Sequence, residues 1–219
     1  MKQRKLLADL EESIQHLQKD IQELEVQYRL VSYSVPTTST IWGVTAEYFR
    51  LFRHGVKVPI TTLPHTSQYQ AQCDFIQATM ALDVTDGMVF GVKAVMNNLQ
   101  LQSRCYQEID TYPVRLDNGP GDSLLATTRS VLTITEGTLT YGFPHLVNDL
   151  SPLAARMLGK QVTLHGSVHF VWDAARGRVT QLHWRADLLA AVLGLLGNLE
   201  DVERVFDGAR ISPDGKVME

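Results

Sequence analysis

Apolar side chains recur in the first part of the chain at alternating steps of three and four residues. This spacing is typical of a coiled coil and differs from the broader stripe of a surface helix. Isoleucine at the first core position and leucine at the second favour a parallel two-stranded coil. The run of about three and a half heptads therefore predicts dimerisation. The predicted core positions are Leu7, Leu10, Ile14, Leu17, Ile21, Leu24, Tyr28 and Val31.

The flanking positions of this coil bear on the choice of partner. In a parallel dimer, Asp20 of one chain would face Glu25 of the other, which places like charges together. No asparagine occupies a core position to fix the register. The pattern predicts that a homodimer is tolerated and that a heterodimer with basic flanks is preferred, by about a few tenths of a kcal/mol per exposed pair.

Beyond the predicted zipper of residues 1–33, residues 34–40 have the proline and hydroxyl residues of a linker. Residues 41–219 then form one predicted α+β domain, because helical periodicity gives way to strand-like alternation after Tyr112. Thr40 is placed to cap the first helix of this domain. Helices are predicted at 41–54, 69–82, 92–106, 153–158, 187–196 and 199–206, and strands at 114–117, 123–135, 162–172 and 178–186.

The last two predicted strands form the clearest hairpin. Val168 and Phe170 alternate with the polar His169 in the first strand. An even turn would place Trp184 opposite the polar face of that strand, whereas an odd loop or a bulge would match apolar side chains with one another. We expect the odd loop or bulge, because a one-residue slip inverts every side chain of a strand. In that register His169 and His183 are cross-strand neighbours.

Composition excludes several classes of protein. The chain has 219 residues, of which 44% are hydrophobic, so it can bury a substantial core. A net charge of −4 is not that of a protein which binds nucleic acid through its overall charge. Two cysteines provide no disulfide framework and favour a reducing compartment. No stretch has the pattern of a signal peptide or a membrane span, so no membrane partner is expected.

Two short segments of the domain indicate its fold. The segment Asp83-Val84-Thr85-Asp86-Gly87 leads through Gly91 into a predicted helix, and Arg176-Gly177-Arg178-Val179 leads to Trp184 and Asp187. In this order they resemble the short strand and the final strands of the nuclear-transport-factor-2-like, or SnoaL-like, family. The resemblance implies a cone-like domain, or cystatin-like roll, of three helices on a curved antiparallel sheet that encloses a cavity.

The N-terminus carries a second resemblance. Lys2-Gln3-Arg4-Lys5 followed by heptads resembles the basic-leucine-zipper (bZIP) family at the join between its basic region and its zipper. With Trp42 and the segment 48–53, the chain is similar to the oomycete members that carry a C-terminal domain. This implies a nuclear transcription regulator that binds DNA as a dimer, with a C-terminal domain for ligand sensing or protein interaction.

The DNA-reading part of that family is largely absent from this chain. If Leu10 is the first zipper leucine, the family's base-reading Asn and its Arg would precede Met1. Lys2, Arg4 and Lys5 remain as candidate phosphate contacts, which give weak and salt-sensitive binding. Basic residues are unfavourable at a helix N-terminus, so we expect that the basic helix begins upstream of Met1.

The cavity implied by the cone fold has five candidate lining residues, and a small apolar ligand is its expected occupant. They are Trp42, Tyr48, His169, His183 and Trp184. No catalytic residue, metal site or cofactor is predicted. His165 and His169 stand about 13 Å apart on one strand, too far to share a metal ion.

Two alternatives remain open. One is a cone-fold enzyme, an isomerase or dehydratase oligomerised by the coil, which requires His183 or Asp187 to point into the cavity. The other is a cytoplasmic coiled-coil adaptor with no DNA role.

Overall fold

The computed structural model describes residues 40–56, 67–148 and 151–218. The chain divides into two compact units, residues 1–39 and 40–219, and this boundary lies within the predicted linker. The predicted zipper from Leu7 to Val31 and the predicted phosphate contacts Lys2, Arg4 and Lys5 lie outside the described residues. They stay predictions.

Three helices precede the long strands, as predicted. They are α1 (Ile41–Phe52), α2 (Ser67–Thr79) and α3 (Val92–Cys105). Thr40 caps α1, because its hydroxyl accepts a hydrogen bond from the backbone N–H of Gly43 at 3.2 Å. The prediction for α2 was wrong at its end: the helix stops at Thr79, and residues 80–82 begin a strand.

Five strands form one unclosed, curved sheet. They are β1 (Met80–Thr85), β2 (Glu108–Asn118), β3 (Ser123–Thr133), β4 (Gln161–Asp173) and β5 (Arg178–Ala186), in the order β1-β5-β4-β3-β2. Strands β2 to β5 pair antiparallel, as the resemblance implied. The short edge strand β1 pairs parallel with β5, so the whole sheet is mixed.

The register of the β4–β5 hairpin matches apolar residues with apolar residues. Phe170 pairs with Leu182 and Val168 with Trp184, and the register shifts between Val171 and Trp172. This shift leaves one extra residue in β5 and inverts the faces of the strand beyond it. The predicted bulged register, with His169 opposite His183, is confirmed.

Five shorter helices complete the described part of the domain: α4 (Glu136–Gly142), α5 (Pro144–Asn148), α6 (Pro152–Met157), α7 (Leu188–Leu196) and α8 (Leu199–Phe206). The sequence analysis did not predict α4, which contains two glycines and two threonines. A reciprocal capping box between Thr135 and Thr138 begins this helix in spite of its composition.

The two faces of the sheet differ sharply. The inner face packs against α1 and includes Leu124, Ala126, Val168 and Phe170, each at most 1% exposed. The outer face carries the alternate residues of the same strands. Its members include Leu125, Thr127, Arg129, His165, His169, His183 and Arg185. No described helix is both long enough and apolar enough to cross a membrane.

Candidate functional site

A cavity of about 60 Å³ lies between the inner face, α1 and α3. Its aromatic lining residues are Tyr48, Phe49, Phe52, Tyr106 and Trp184. Its other lining residues are Gly55, Val56, Leu99, Gln102, Ser103, Ile109, Thr111 and Val168. None of these side chains carries a charge at neutral pH.

The aromatic residues of α1 shape this cavity. Tyr48 stacks on Phe52 one helical turn later, with ring centroids 4.9 Å apart and planes at 20°. The edge of the Tyr48 ring also meets Phe170 of the inner face, at 5.4 Å and 80°. Rigid rings held in such contacts leave the space beside them unfilled, because they cannot bend into it.

Tyr48 is a buried lining residue whose hydroxyl is available to a molecule in the cavity. Tyr48 is only 6% exposed, and its hydroxyl has no hydrogen-bond partner among the described residues. Burial raises the pKa of this phenol well above its usual value, so the hydroxyl stays protonated at every physiological pH. It can therefore donate a hydrogen bond to a molecule in the cavity.

Several other polar groups of the lining form hydrogen bonds within the protein. The Ser103 hydroxyl donates to the Leu99 carbonyl at 2.8 Å and accepts from the Val56 N–H at 2.7 Å. Thr111 Oγ1 lies 2.8 Å from Ser130 Oγ. In contrast, the Gln102 amide has no partner among the described residues and lies at the half-exposed side of the cavity.

A smaller cavity of about 20 Å³ adjoins the first. The two share Tyr48, Leu99, Gln102 and Trp184 as lining residues. The smaller cavity also brings in two charged residues. Asp86 accepts hydrogen bonds from the backbone N–H groups of residues 88 and 89 and from the Asn98 amide. Lys216 lies 3.8 Å from the Asp214 carboxylate.

A turn near the C-terminus holds Trp184 in place. The Tyr106 hydroxyl donates to the Gly215 carbonyl at 2.8 Å, and the rings of Tyr106 and Trp184 meet edge to face at 5.7 Å. Gly215 has a positive φ of 84°, and a Cβ there would lie 2.9 Å from the Trp184 ring. Only glycine allows this close approach of the turn to the indole.

The structure brings together two of the five residues that the sequence analysis placed in the cavity. Tyr48 and Trp184 line both cavities. Trp42, in contrast, is 44% exposed and lines neither. His169 and His183 lie on the outer face, because strand geometry sends them opposite to Val168 and Trp184.

The two histidines of the outer face form a stacked pair. Their ring centroids are 6.4 Å apart and their planes make an angle of 20°. His183 Nδ1 donates to the Asp86 carbonyl at 2.9 Å, since a carbonyl oxygen can only accept. Burial, and then the neighbouring His183, lower the pKa of His169. Within residues 40–56, 67–148 and 151–218, no group of three or more metal-ligating side chains occurs.

Two more candidate residues, Asp187 of the enzyme alternative and the neighbouring His165, also lie elsewhere. Asp187 is exposed and caps α7, where its carboxylate accepts a hydrogen bond from the Ala190 N–H at 2.9 Å. His165 is exposed on the outer face. Neither residue lines either of the two described cavities.

Several lining residues were missed by the sequence analysis. Leu99, Gln102 and Ser103 share one face of α3 through their spacing of three and four residues, so helical periodicity could have identified them together. Thr111 could not have been found this way, because its position depends on how β2 pairs with β3.

The described domain is thus an α+β cone with an uncharged, aromatic-lined cavity. Its residues 42–105 match a family model, that of the bZIP transcription factor 1 C-terminal domain. This match confirms the resemblance to the bZIP family that was inferred from the sequence. A comparison with curated proteins gives no match.

Solved structures of similar fold come from bacteria. A SnoaL-like polyketide cyclase from Agrobacterium tumefaciens has 16% identity and a TM-score of 0.46, covering 72% of this chain and 98% of that one. An NTF2-like protein from Exiguobacterium has 14% identity and a TM-score of 0.44, covering 66% and 98%. An epoxide hydrolase from Mycobacterium tuberculosis has 15% identity and a TM-score of 0.40, covering 74% and 88%. Identities and TM-scores of this size assign no activity to the present chain.

Proposed function

We propose that this chain is the dimerising and ligand-sensing part of a bZIP transcription regulator. In this proposal the coil of residues 7–31 pairs two chains, as a homodimer or a heterodimer, and the domain of residues 41–219 binds a small ligand in its cavity. The match of residues 42–105 to the bZIP transcription factor 1 C-terminal domain is the observation that carries the proposal. The regulator would act in the nucleus.

In this proposal, residues at the N-terminal end of the coil contact DNA. Lys2, Arg4 and Lys5 would contact phosphates without reading bases, so their contribution would be weak and would fall with salt. Base recognition would require the Asn and Arg that the family carries farther toward the N-terminus.

The cavity supports a sensing role for the domain. Small-molecule sites are concave, mostly apolar and contain a few well-placed polar groups. The described cavity has this composition, and its polar groups without a partner among the described residues are the Tyr48 hydroxyl, the Gln102 amide and the Trp184 indole N–H. The enzyme alternative depended on His183 or Asp187, and both lie outside the cavity lining.

Dimerisation through the coil can be tested with two neighbouring substitutions in the full chain. Ile21→Lys places a charge in the predicted core, whereas Gln22→Lys places the same charge at an outward position of the same turn. We expect a dimer mass for the native chain and for Gln22→Lys, and a monomer mass for Ile21→Lys. Light scattering over a range of protein concentrations measures this. A monomeric native chain, or a dimeric Ile21→Lys variant, would contradict the zipper.

A further inference from the structure

The hydroxyl of Tyr48 has no evident structural use. The ring alone makes the contacts with Phe52 and Phe170, and phenylalanine would make them equally well. Tyr48 is 6% exposed and lines both cavities, but its hydroxyl is not one of the fully buried atoms that lack a partner. The hydroxyl therefore keeps surface that a hydrogen-bond acceptor in the cavity can reach.

The lining determines the charge of the molecule that fits. The larger cavity contains no charged side chain, so an anion or a cation would lose its hydration there without gaining a partner. The charges of Asp86 and Lys216 border only the smaller cavity, and each already has a partner. The occupant of the larger cavity is therefore neutral.

The volume of the larger cavity limits the size of the ligand. One water molecule needs roughly 10–15 Å³ of cavity volume. A volume of about 60 Å³ therefore encloses about four to six non-hydrogen atoms. A larger molecule would fit only if part of it extended past the half-exposed Gln102 into solvent.

The polar groups determine which atom of the ligand is recognised. The Ser103 and Thr111 hydroxyls already have partners within the protein. The Tyr48 hydroxyl is protonated and free to donate, and the Gln102 amide can donate from the other side of the cavity. These donors favour a ligand that carries an acceptor oxygen, such as a carbonyl, over a hydrocarbon without one.

We propose that the cavity binds a small neutral carbonyl compound, an aldehyde, ketone or lactone, whose oxygen accepts a hydrogen bond from Tyr48. This inference rests on the proposed sensing function of the same cavity and names the class of its ligand. Aromatic and aliphatic side chains such as Phe52 and Val168 contact the hydrocarbon part of the compound.

The test uses three probes of similar size with the full chain. Cyclopentanone has the carbonyl, methylenecyclopentane has the same shape without the acceptor, and cyclopropanecarboxylate has a negative charge and the same number of non-hydrogen atoms. Ligand-observed saturation-transfer NMR measures the three affinities. We expect cyclopentanone to bind about three- to tenfold more tightly than methylenecyclopentane, the effect of one neutral hydrogen bond. Cyclopropanecarboxylate should bind more weakly than either.

Two variants assign the preference to Tyr48. Tyr48→Phe removes only the hydroxyl and should abolish the preference for the ketone. The control is Tyr141→Phe, which removes the same group from a 44% exposed tyrosine of α4 and should leave the preference intact. Thermal unfolding of each variant checks that it is folded. If Tyr48→Phe does not fold, the affinities of the three probes for the native chain still test the carbonyl assignment.

The possible failures are distinguishable. Equal binding of ketone and alkene, tighter binding of the carboxylate, or a ketone preference that survives in Tyr48→Phe would overturn the carbonyl assignment and leave a sensing cavity. If none of the three probes binds, the assignment falls together with the sensing part of the proposed function.

Discussion

The two faces of the sheet are built from the same strands but differ in almost every property. On the inner face, Leu124, Ala126, Val168 and Phe170 are at most 1% exposed and Val168 lines the cavity. Leu125, their neighbour on the outer face, is 37% exposed. The inner face meets rigid aromatic rings of α1. The outer face carries arginines, histidines and hydroxyl side chains that meet solvent.

Residues 183 and 184 show how adjacent positions of one strand are divided between the two faces. They are adjacent in β5, yet Trp184 lines the cavity and His183 stacks on His169 on the outer face. Consecutive side chains of a strand point to opposite faces, so they cannot line one cavity. A candidate site in such a domain is therefore restricted to residues of one parity in each stretch of strand between bulges.

The largest expected effect is on the free energy of unfolding when a leucine of the inner face, compared with one of the outer face, is shortened to alanine. Leu164→Ala, on the inner face and 0% exposed, should lower the free energy of unfolding by about 2–5 kcal/mol, because it leaves a void in a packed core. Leu125→Ala, on the outer face, should cost less than about 1 kcal/mol. Urea denaturation of the full chain measures both values. Similar losses for the two variants would mean that another part of the protein covers the outer face.

A second, smaller effect on stability is expected when a valine of the inner face is enlarged to isoleucine, and its sign should differ between two positions. Val168→Ile adds a methylene beside the cavity and should stabilise the fold by about 0.5 kcal/mol or more. Val179→Ile makes the same change at a 0% exposed position that borders neither cavity, and should destabilise it by about 1–3 kcal/mol. Thermal unfolding of the pair gives the sign of each effect. Destabilisation by both changes would show that the cavity closes in solution.

Much of the fold was predictable because local patterns agree with it. Helix α8 was predicted with its observed ends, since its amphipathic pattern follows an asparagine cap at residue 198. The bulged register of the β4–β5 hairpin was also predictable, because only that register joins the apolar faces of the two strands.

Other parts depend on contacts that are distant in sequence. Residues 80–82 continue a helical pattern locally, but Met80 pairs with Val179 across almost a hundred residues and becomes part of β1. The cavity itself was predicted only through Tyr48 and Trp184. Its volume arises from how rings of α1 meet β4 and how Gly215 fixes Trp184, and neither contact has a local signal.

The smallest expected effect concerns the outer face and its dependence on pH. The pKa of His169 is lowered in the folded state by burial and by His183, relative to about 6.5 in an unfolded chain. Below that unfolded pKa the unfolded state takes up the proton more readily, so stability falls as the pH drops.

His169→Gln should therefore reduce the loss of stability between about pH 7 and pH 5, which bracket the unfolded value. His165→Gln changes an exposed histidine of the same face that has no stacked histidine partner, and provides the control. Urea denaturation at a series of pH values measures the slope for each variant. An unchanged slope in His169→Gln would show that His169 takes up a proton in the folded protein as readily as in the unfolded chain.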